Sequence, residues 1–245
     1  MAIPTLTHDP ASAFPSPHPE GDMRGGLIAQ GGCLSVERLQ RAYRQGIFPW
    51  FSADEPILWW QPVWRAVLFP HQIHINRSLR KFLRKKPYRV TLNHAFSQVI
   101  RQCASVPRGP GNGTWITEEM IQAYIALHHA GTAHSVEVWQ GEQLVGGLYG
   151  VLSGTVFAGE SMFSLQPNAS KVALLALAQT WQPVGLRLID CQIMNDHLER
   201  LGAFMVSRSE YTNFLHEIQR RKNEQIPIAY QTARELIFPD VGNPR

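Results

Sequence analysis

The sequence predicts an α+β fold, with a small N-terminal domain over residues 1–62 packed on a larger domain over 63–245 whose sheet is mainly antiparallel. Three observations predict it. Prolines 4, 10, 15, 17 and 19 crowd the first stretch and break both helix and sheet there. Between 134 and 163, apolar and polar residues alternate in three runs separated by turn chemistry, as in antiparallel strands. Beyond 168 helical and strand periods follow one another, which mixes the two element types in one domain.

Taken in order, the proline-rich stretch reads as an extended arm lying on the surface. A helix over about Ser35–Gln45 starts at a serine N-cap and stops at Gly46. The next segment holds Trp50, Trp59, Trp60 and Trp64, and Pro49, Pro56, Pro62 and Pro70 cut it into short extended pieces. The domain boundary is placed near Pro62. Helices follow at about Asn76–Lys86, Asn93–Ala104 and Thr117–Ala130, the last two flanking a glycine-rich loop, Arg108–Gly113. Strands His134–Trp139, Gln143–Leu152 and Thr155–Phe163 are joined by QGE and SG turns into a meander. A helix from Asn168 or Ser170 to Trp181 ends before Pro183. A strand over Leu186–Ile193, a short helix Asn195–Leu201 halted by Gly202, and a helix Ser209–Lys222 complete the chain. This β-β-β-α-β-α order resembles the acyl-CoA N-acetyltransferase (GNAT) fold, an analogy of element order alone.

The composition, 44% hydrophobic and 17% charged over 245 residues, is that of a globular protein with a core, not a disordered chain. A net charge of +4 suits a polyanionic partner. Cys33, Cys103 and Cys191 form no C-x-x-C pair or disulfide framework, which points to a reducing compartment. MAIPTLTHDP lacks the basic start and apolar core of a secretory signal. The longest apolar run, Val172–Ala178, falls far short of the roughly 20 residues that span a bilayer. A soluble, cytoplasmic protein is expected. No HExxH or Cys/His zinc spacing occurs, so no metal is expected. GPGNG follows a helix and lacks Lys-Ser/Thr, so it is not a phosphate-binding P-loop.

Three features carry candidate chemistry. In INRSLRKFLRKK, Arg77, Arg80, Lys81, Arg84 and Lys85 share one helical face, and no acidic residue lies between His71 and Arg101. A solvated helix face is one reading. A nucleic-acid footprint is the favoured one, because five mutually repelling cations are relieved by phosphates. In RLIDCQI, alternation buries Ile189, Cys191 and Ile193 on one side and turns Asp190 and Gln192 together to the other. That pair reads either as the wet face of an edge strand or as a polar pair at the bottom of a cleft. Glu160, the acid of GESMFS, is as well explained by a satisfied core position as by function. Gly146, Gly147 and Gly150 mark a bulge or the close approach of a ligand.

IFPWF, ILWW, GTWIT, HSVEVW, LVGGLYG, FAGESMFS, NASK and LIDCQ-x-x-NDH, in this order and spacing, resemble the leucyl/phenylalanyl-tRNA–protein transferases from about Ala13 to Tyr211. The resemblance implies a small N-terminal domain on a GNAT-like domain. It also implies an enzyme that moves leucine, phenylalanine or, less readily, methionine from tRNA to N-terminal arginine or lysine, marking the protein for degradation. Trp50 and Trp115 match the two tryptophans that sandwich the tRNA's terminal adenosine, and base stacking of about 1–3 kcal/mol per base suits a sequence-independent grip. The basic stripe matches the tRNA-contacting helix. Glu160 matches an acid of the substrate pocket, and Leu148, Phe157, Leu177, Trp181 and Ile189 match the wall that receives the aminoacyl side chain. Where this chain has Leu148 and Leu177, the family carries Met and Phe.

Mechanistically, the ester is already activated, so no ATP and no cofactor is implied. The attacking α-amine, with a pKa of about 7.7–8.0, is partly neutral at pH 7. Asp190 and Gln192 are the implied catalytic pair, the glutamine carbonyl accepting the amine's hydrogen bond and the aspartate orienting it. Two rival readings stand beside this one. An acetyl-CoA transferase is disfavoured because Gln143-x-x-Gly146 departs from the pyrophosphate loop at Leu148 and lies within a strand. A non-catalytic tRNA-binding protein leaves Asp190 and Gln192 unexplained.

Overall fold

A computed structural model describes residues 2–17, 25–106, 114–220 and 225–239, with backbone only at 219 and 220. Two sheets organise these residues. The smaller has the order β1-β2-β4-β3, from β1 (Thr5–Leu6), β2 (Leu27–Gly31), β3 (Phe48–Pro49) and β4 (Leu58–Trp60). The larger is built from β5 (Trp64–Leu68), β6 (Arg89–Leu92), β7 (Ala133–Gln140), β8 (Gln143–Ser153), β9 (Val156–Ser164), β10 (Leu188–Gln192), β11 (Phe204–Ser207) and β12 (Arg234–Leu236). Its order is β11-β5-β10-β9-β8-β7-β6-β12. Only the β9–β10 pair is parallel; the rest are antiparallel, as the sequence predicts.

Alternation along these strands separates two cores. Leu148, Phe157 and Ile189 face α5 (Ala169–Trp181) and Leu79 and Leu83 of α2 (Arg77–Leu83). Their neighbours Tyr149 and Ala158 face α3 (Phe96–Ser105), α4 (Glu118–His129) and α1 (Val36–Arg44). On that second face α7 (Arg208–Arg220) covers Val67 and Leu188 with Tyr211, Leu215 and Ile218. The second core also takes in Ile28, Phe48 and Trp59 of the small sheet, so the two sheets share buried apolar surface. Short α6 (Asp196–Arg200) follows β10.

Local chemistry explains most boundaries. Ser35, Asn76, Thr117 and Asn195 each accept a first-turn N–H and start α1, α2, α4 and α6. The start of α5 differs from expectation. Asn168 stands before the helix with φ +62° and makes no side-chain cap, while the Ser170 N–H is taken by Ser164 Oγ at 3.3 Å. The arm is also more than a surface strap. Thr5 and Leu6 pair with β2, Leu6 and Phe14 are buried, and the Arg38 guanidinium donates to the carbonyls of Thr7, Asp9 and Ser12. Pro19 and the Arg108–Gly113 loop lie outside the described residues.

The glycines of β8 serve packing. A Cβ at Gly146 would sit 2.4 Å from Ala169 Cβ, so the position admits α5 and not a ligand; register shifts fall beside Gly146, where it meets Val138 of β7, and between Tyr149 and Gly150 against β9.

Candidate active site

The parallel β9–β10 pair positions the site. Across its mouth stand the small sheet's β3 with the residue after it and the segment before α4. Together they enclose a cavity of about 330 Å³. Trp50 and Trp115 line it, as do Leu148, Phe157, Glu160, Ile189 and Gln192, so seven of the ten predicted catalytic and substrate-binding residues meet there. Trp50 keeps 40% of its surface exposed. Its backbone is pinned, its N–H to Leu58 O and its carbonyl to Trp60 Nε1 at 2.7 Å.

Three predicted residues do not line the cavity. Leu177 and Trp181 are fully buried behind it; Trp181 stacks edge-on against Phe157 and donates Nε1–H to Tyr230 O. The α5 residue on the wall is Leu174, one turn earlier. Leu174 and Leu177 are not told apart by the sequence because Val172–Ala178 is an unbroken apolar run, and such a helix does not declare which residues face a hollow.

The third is Asp190, and its placement corrects the expected alternation. Its carboxylate turns to α7 and β5, accepting Arg65 Nε at 2.7 Å, Arg65 Nη2 at 2.6 Å and Tyr211 Oη at 2.8 Å. Gln192 does not follow it. A bulge between Asp190 and Gln192 shifts the register against β5, and Gln192 takes φ +63°. The extra residue brings Gln192 into the cavity with Ile189 and Cys191, the residues expected on the opposite side. Ile193, expected to be buried, is 44% exposed at the same rim. Asp190 remains joined to Gln192 through its backbone: Oδ1 accepts the Gln192 N–H at 2.9 Å.

Glu160 is 7% exposed and receives Gln192 Nε2 at 2.6 Å and Tyr124 Oη at 3.2 Å. Tyr124 is hydrogen-bonded in turn to Tyr43 of α1. Burial pushes Glu160 up to about 7; the tyrosine and glutamine hydrogen bonds oppose this, and the Asp190 charge adds to it. Burial works against the charge on Arg65, but the Asp190 carboxylate holds its guanidinium well above the ordinary arginine value. The Arg65 guanidinium also lies 4.7 Å from the ring centres of both Phe48 and Tyr211. Burial and Asp190 raise the Cys191 thiol, which leaves no thiolate nucleophile at neutral pH. Burial, with Lys171 and Arg200 nearby, lowers His197 at the rim.

Arg65, Tyr211, Tyr43, Tyr124 and Leu174 were missed by sequence reasoning. Arg65 is separated from Asp190 by 125 positions, and no local pattern links them. On α2, Arg77 and Lys81 are exposed and Arg80 is half-buried, opposite buried Leu79 and Leu83, while Arg84 and Lys85 are exposed in the turn that follows. The helix is shorter than expected, ending at Leu83 with Arg84 as its cap. It begins three residues after His74, whose N–H is held by Leu201 O at the end of α6, so the basic face starts beside the segment that forms the cavity rim. Among the described residues, no group of three or more His, Cys, Asp or Glu side chains could hold a metal ion, and no helix is long and apolar enough to cross a membrane.

Residues 67–216 match the family model of the leucyl/phenylalanyl-tRNA protein transferases, and residues 32–63 match that family's N-terminal domain. The chain is 52% identical over 233 residues to a leucyl/phenylalanyl-tRNA–protein transferase of Shewanella baltica (strain OS185), covering 95% of this chain and 96% of that one. The chain belongs to this family. It is 54% identical over 229 residues to the Shigella dysenteriae protein of the same name, and 53% identical to one from Escherichia coli, each match covering 93% of this chain and 94% of the relative. As a member the chain is an aminoacyltransferase, moving a leucyl or phenylalanyl group from tRNA onto a protein. A solved Staphylococcus epidermidis protein of unknown function overlaps 55% of this chain and 65% of its own at 10% identity and TM-score 0.32, too slight a likeness to bear on the fold.

Proposed function

We propose that the cavity takes the aminoacylated 3′ end of tRNA, with the terminal adenine between Trp50 and Trp115 and the aminoacyl side chain against Leu148, Phe157, Leu174 and Ile189. The two indoles supply stacking that does not depend on which tRNA is bound, and an apolar wall selects by shape. The acceptor's neutral α-amine attacks the ester carbonyl; the C–N bond forms, the C–O bond to the ribose breaks, and the amine's proton is returned to the released ribose hydroxyl. The Gln192 carbonyl accepts a hydrogen bond from the attacking amine and orients it. Asp190 acts at one remove, holding the Gln192 backbone while Arg65 and Tyr211 hold Asp190. Arg77, Arg80, Lys81, Arg84 and Lys85 carry the phosphate backbone.

The observation that carries this reading is the shared cavity: two tryptophans at its mouth, a leucine-sized apolar wall, and an amide paired with a carboxylate. The family resemblance supports N-terminal arginine or lysine as acceptors, methionine as a poorer donor, a role in degradation and a cytoplasmic setting. A division near residue 62 and a GNAT-like larger domain are supported by element order: a meander, a helix, then a strand parallel to the third.

Labelled Leu-tRNA incubated with a peptide beginning in arginine tests the function. Ribonuclease-resistant label on the peptide is expected; tRNA binding without transfer, or transfer from acetyl-CoA, overturns it.

A further inference from the structure

The hydroxyls of Tyr43 and Tyr124 lie behind the cavity, on rings that are 4% and 0% exposed, and neither residue touches the space a substrate would fill. They are hydrogen-bonded to each other, and Tyr124 Oη continues to Glu160 Oε2. The other Glu160 oxygen receives the Gln192 amide nitrogen. Four side chains from α1, α4, β9 and β10 thus form one line of hydrogen bonds that ends on the cavity wall.

Its polarity follows from the inventory of donors and acceptors. A carboxylate only accepts, so both neighbours must give it a hydrogen. Tyr124 spends its proton on Glu160 and receives one from Tyr43. Gln192 spends its NH2 on Glu160, and its carbonyl is then the end left for the amine. A protonated Glu160 could instead donate to the Gln192 carbonyl, and the amide would turn its NH2, a donor, toward an amine that needs an acceptor. The two amide orientations are nearly isosteric, so the charge state of the carboxyl decides between them.

Resting on the role given above to Gln192, we propose that Tyr124, backed by Tyr43, is a positioning residue that through Glu160 sets which end of the Gln192 amide faces the incoming amine. The N-terminal helix α1 thereby enters the catalytic centre by way of a phenol 81 positions from its partner. The charged and titratable groups facing Glu160 are Tyr43 on α1, Tyr124 on α4, Asp190 on β10 and Arg65 on β5. Burial and Asp190 raise Glu160, whereas the two hydroxyls lower it. Removing a hydroxyl therefore moves Glu160 further up and the acid limb of activity with it.

The test is the pH profile of leucyl transfer by Tyr124→Phe, Tyr43→Phe and the double variant, which retain the edge-on ring contacts with Tyr149 and with each other. Tyr124→Phe is expected to lower kcat about tenfold at pH 7, with KM for Leu-tRNA within about twofold, to shift the acid limb upward, and to recover at pH 9. Tyr43→Phe is expected to shift the limb in the same direction, since both hydroxyls hold Glu160 down, and the double variant is at least as impaired as either single one. Should Tyr124→Phe not fold, Tyr43→Phe alone carries the test. An unmoved limb with wild-type kcat overturns the proposal, and so does an equal loss of kcat and tRNA affinity at every pH. Gln192→Ala separates the two levels: full activity there refutes the role of Gln192 itself, whereas an inactive Gln192→Ala beside an unaffected Tyr124→Phe refutes the positioning device only.

Discussion

Gln192 and Glu160 meet at 2.6 Å through the glutamine's amide nitrogen and the carboxylate of a strand 32 positions earlier. Neither residue could be placed there by regular strand geometry alone. Gln192 arrives by a left-handed backbone turn at a bulge, and Glu160 is kept from water by Tyr43 and Tyr124. The pairing makes an uncharged amide directional, which a reaction needing a hydrogen-bond acceptor requires.

Glu160 imposes a pH signature on stability. Its folded value, about 7, lies above the ordinary 4.5, so the folded state resists ionisation that the unfolded chain undergoes freely. Stability is therefore lost as pH rises from about 4.5 to about 7 and stays lost above that. Glu160→Gln removes the penalty. Thermal melts should show the variant more stable than the wild type at pH 8, by up to about 3 kcal/mol, with the advantage gone at pH 4. An equal offset at both pH values would contradict the assignment.

Asp190 is as much a structural charge as a functional one. Asp190→Asn leaves the Arg65 guanidinium buried without its counter-charge, and unfolding should become easier by about 3–5 kcal/mol. Replacing both partners, Arg65→Met with Asp190→Leu, should restore most of the melting temperature but not transfer, because the Gln192 N–H then loses its acceptor. Recovered transfer in the double variant would remove Asp190 from the positioning of Gln192.

Leu174 forms part of the wall that meets the aminoacyl side chain. Leu174→Ala should shift the ratio of kcat/KM toward Phe-tRNA over Leu-tRNA by about tenfold, since even one methylene in an apolar pocket is worth about 1–3 kcal/mol and this change opens space for a larger ring. The same change at Leu177, behind the wall, should cost stability with little change in the ratio. Competition between the two charged tRNAs measures this directly.

The basic stretch formed by α2 and the turn after it predicts a salt effect. Replacing Arg77, Lys81 and Lys85 by alanine should weaken tRNA binding at low salt and make the log–log salt slope shallower by about 2 to 3, one counterion-release step per lost phosphate contact. Transfer at saturating tRNA should hold. A parallel slope would mean that these cations are solvated and contact no phosphate.

How much of this was legible in the sequence depended on range. The β7–β8–β9 meander and α6 could be read because alternation, turns and the Asn195 cap lie within a few residues of what they specify. Trp50, Trp115 and Glu160 were legible through the family's motifs. β6, β11 and β12 were not, since each is three or four residues long and exists by pairing with distant strands. The Gln192 bulge was hidden for a similar reason: one unpaired residue reverses which side chains share a face, and nothing in LIDCQ announces it. Tyr43 and Tyr124 stand 81 positions apart on separate helices, and only the fold brings their hydroxyls together.

The central claim, that the Gln192 amide orients the attacking amine, is tested most directly by the single-turnover rate of leucyl transfer in Gln192→Ala at saturating Leu-tRNA and arginine-starting peptide. A fall of about 100-fold or more, with Leu-tRNA affinity within about threefold of wild type, is the result predicted. A rate equal to the wild type's would contradict it.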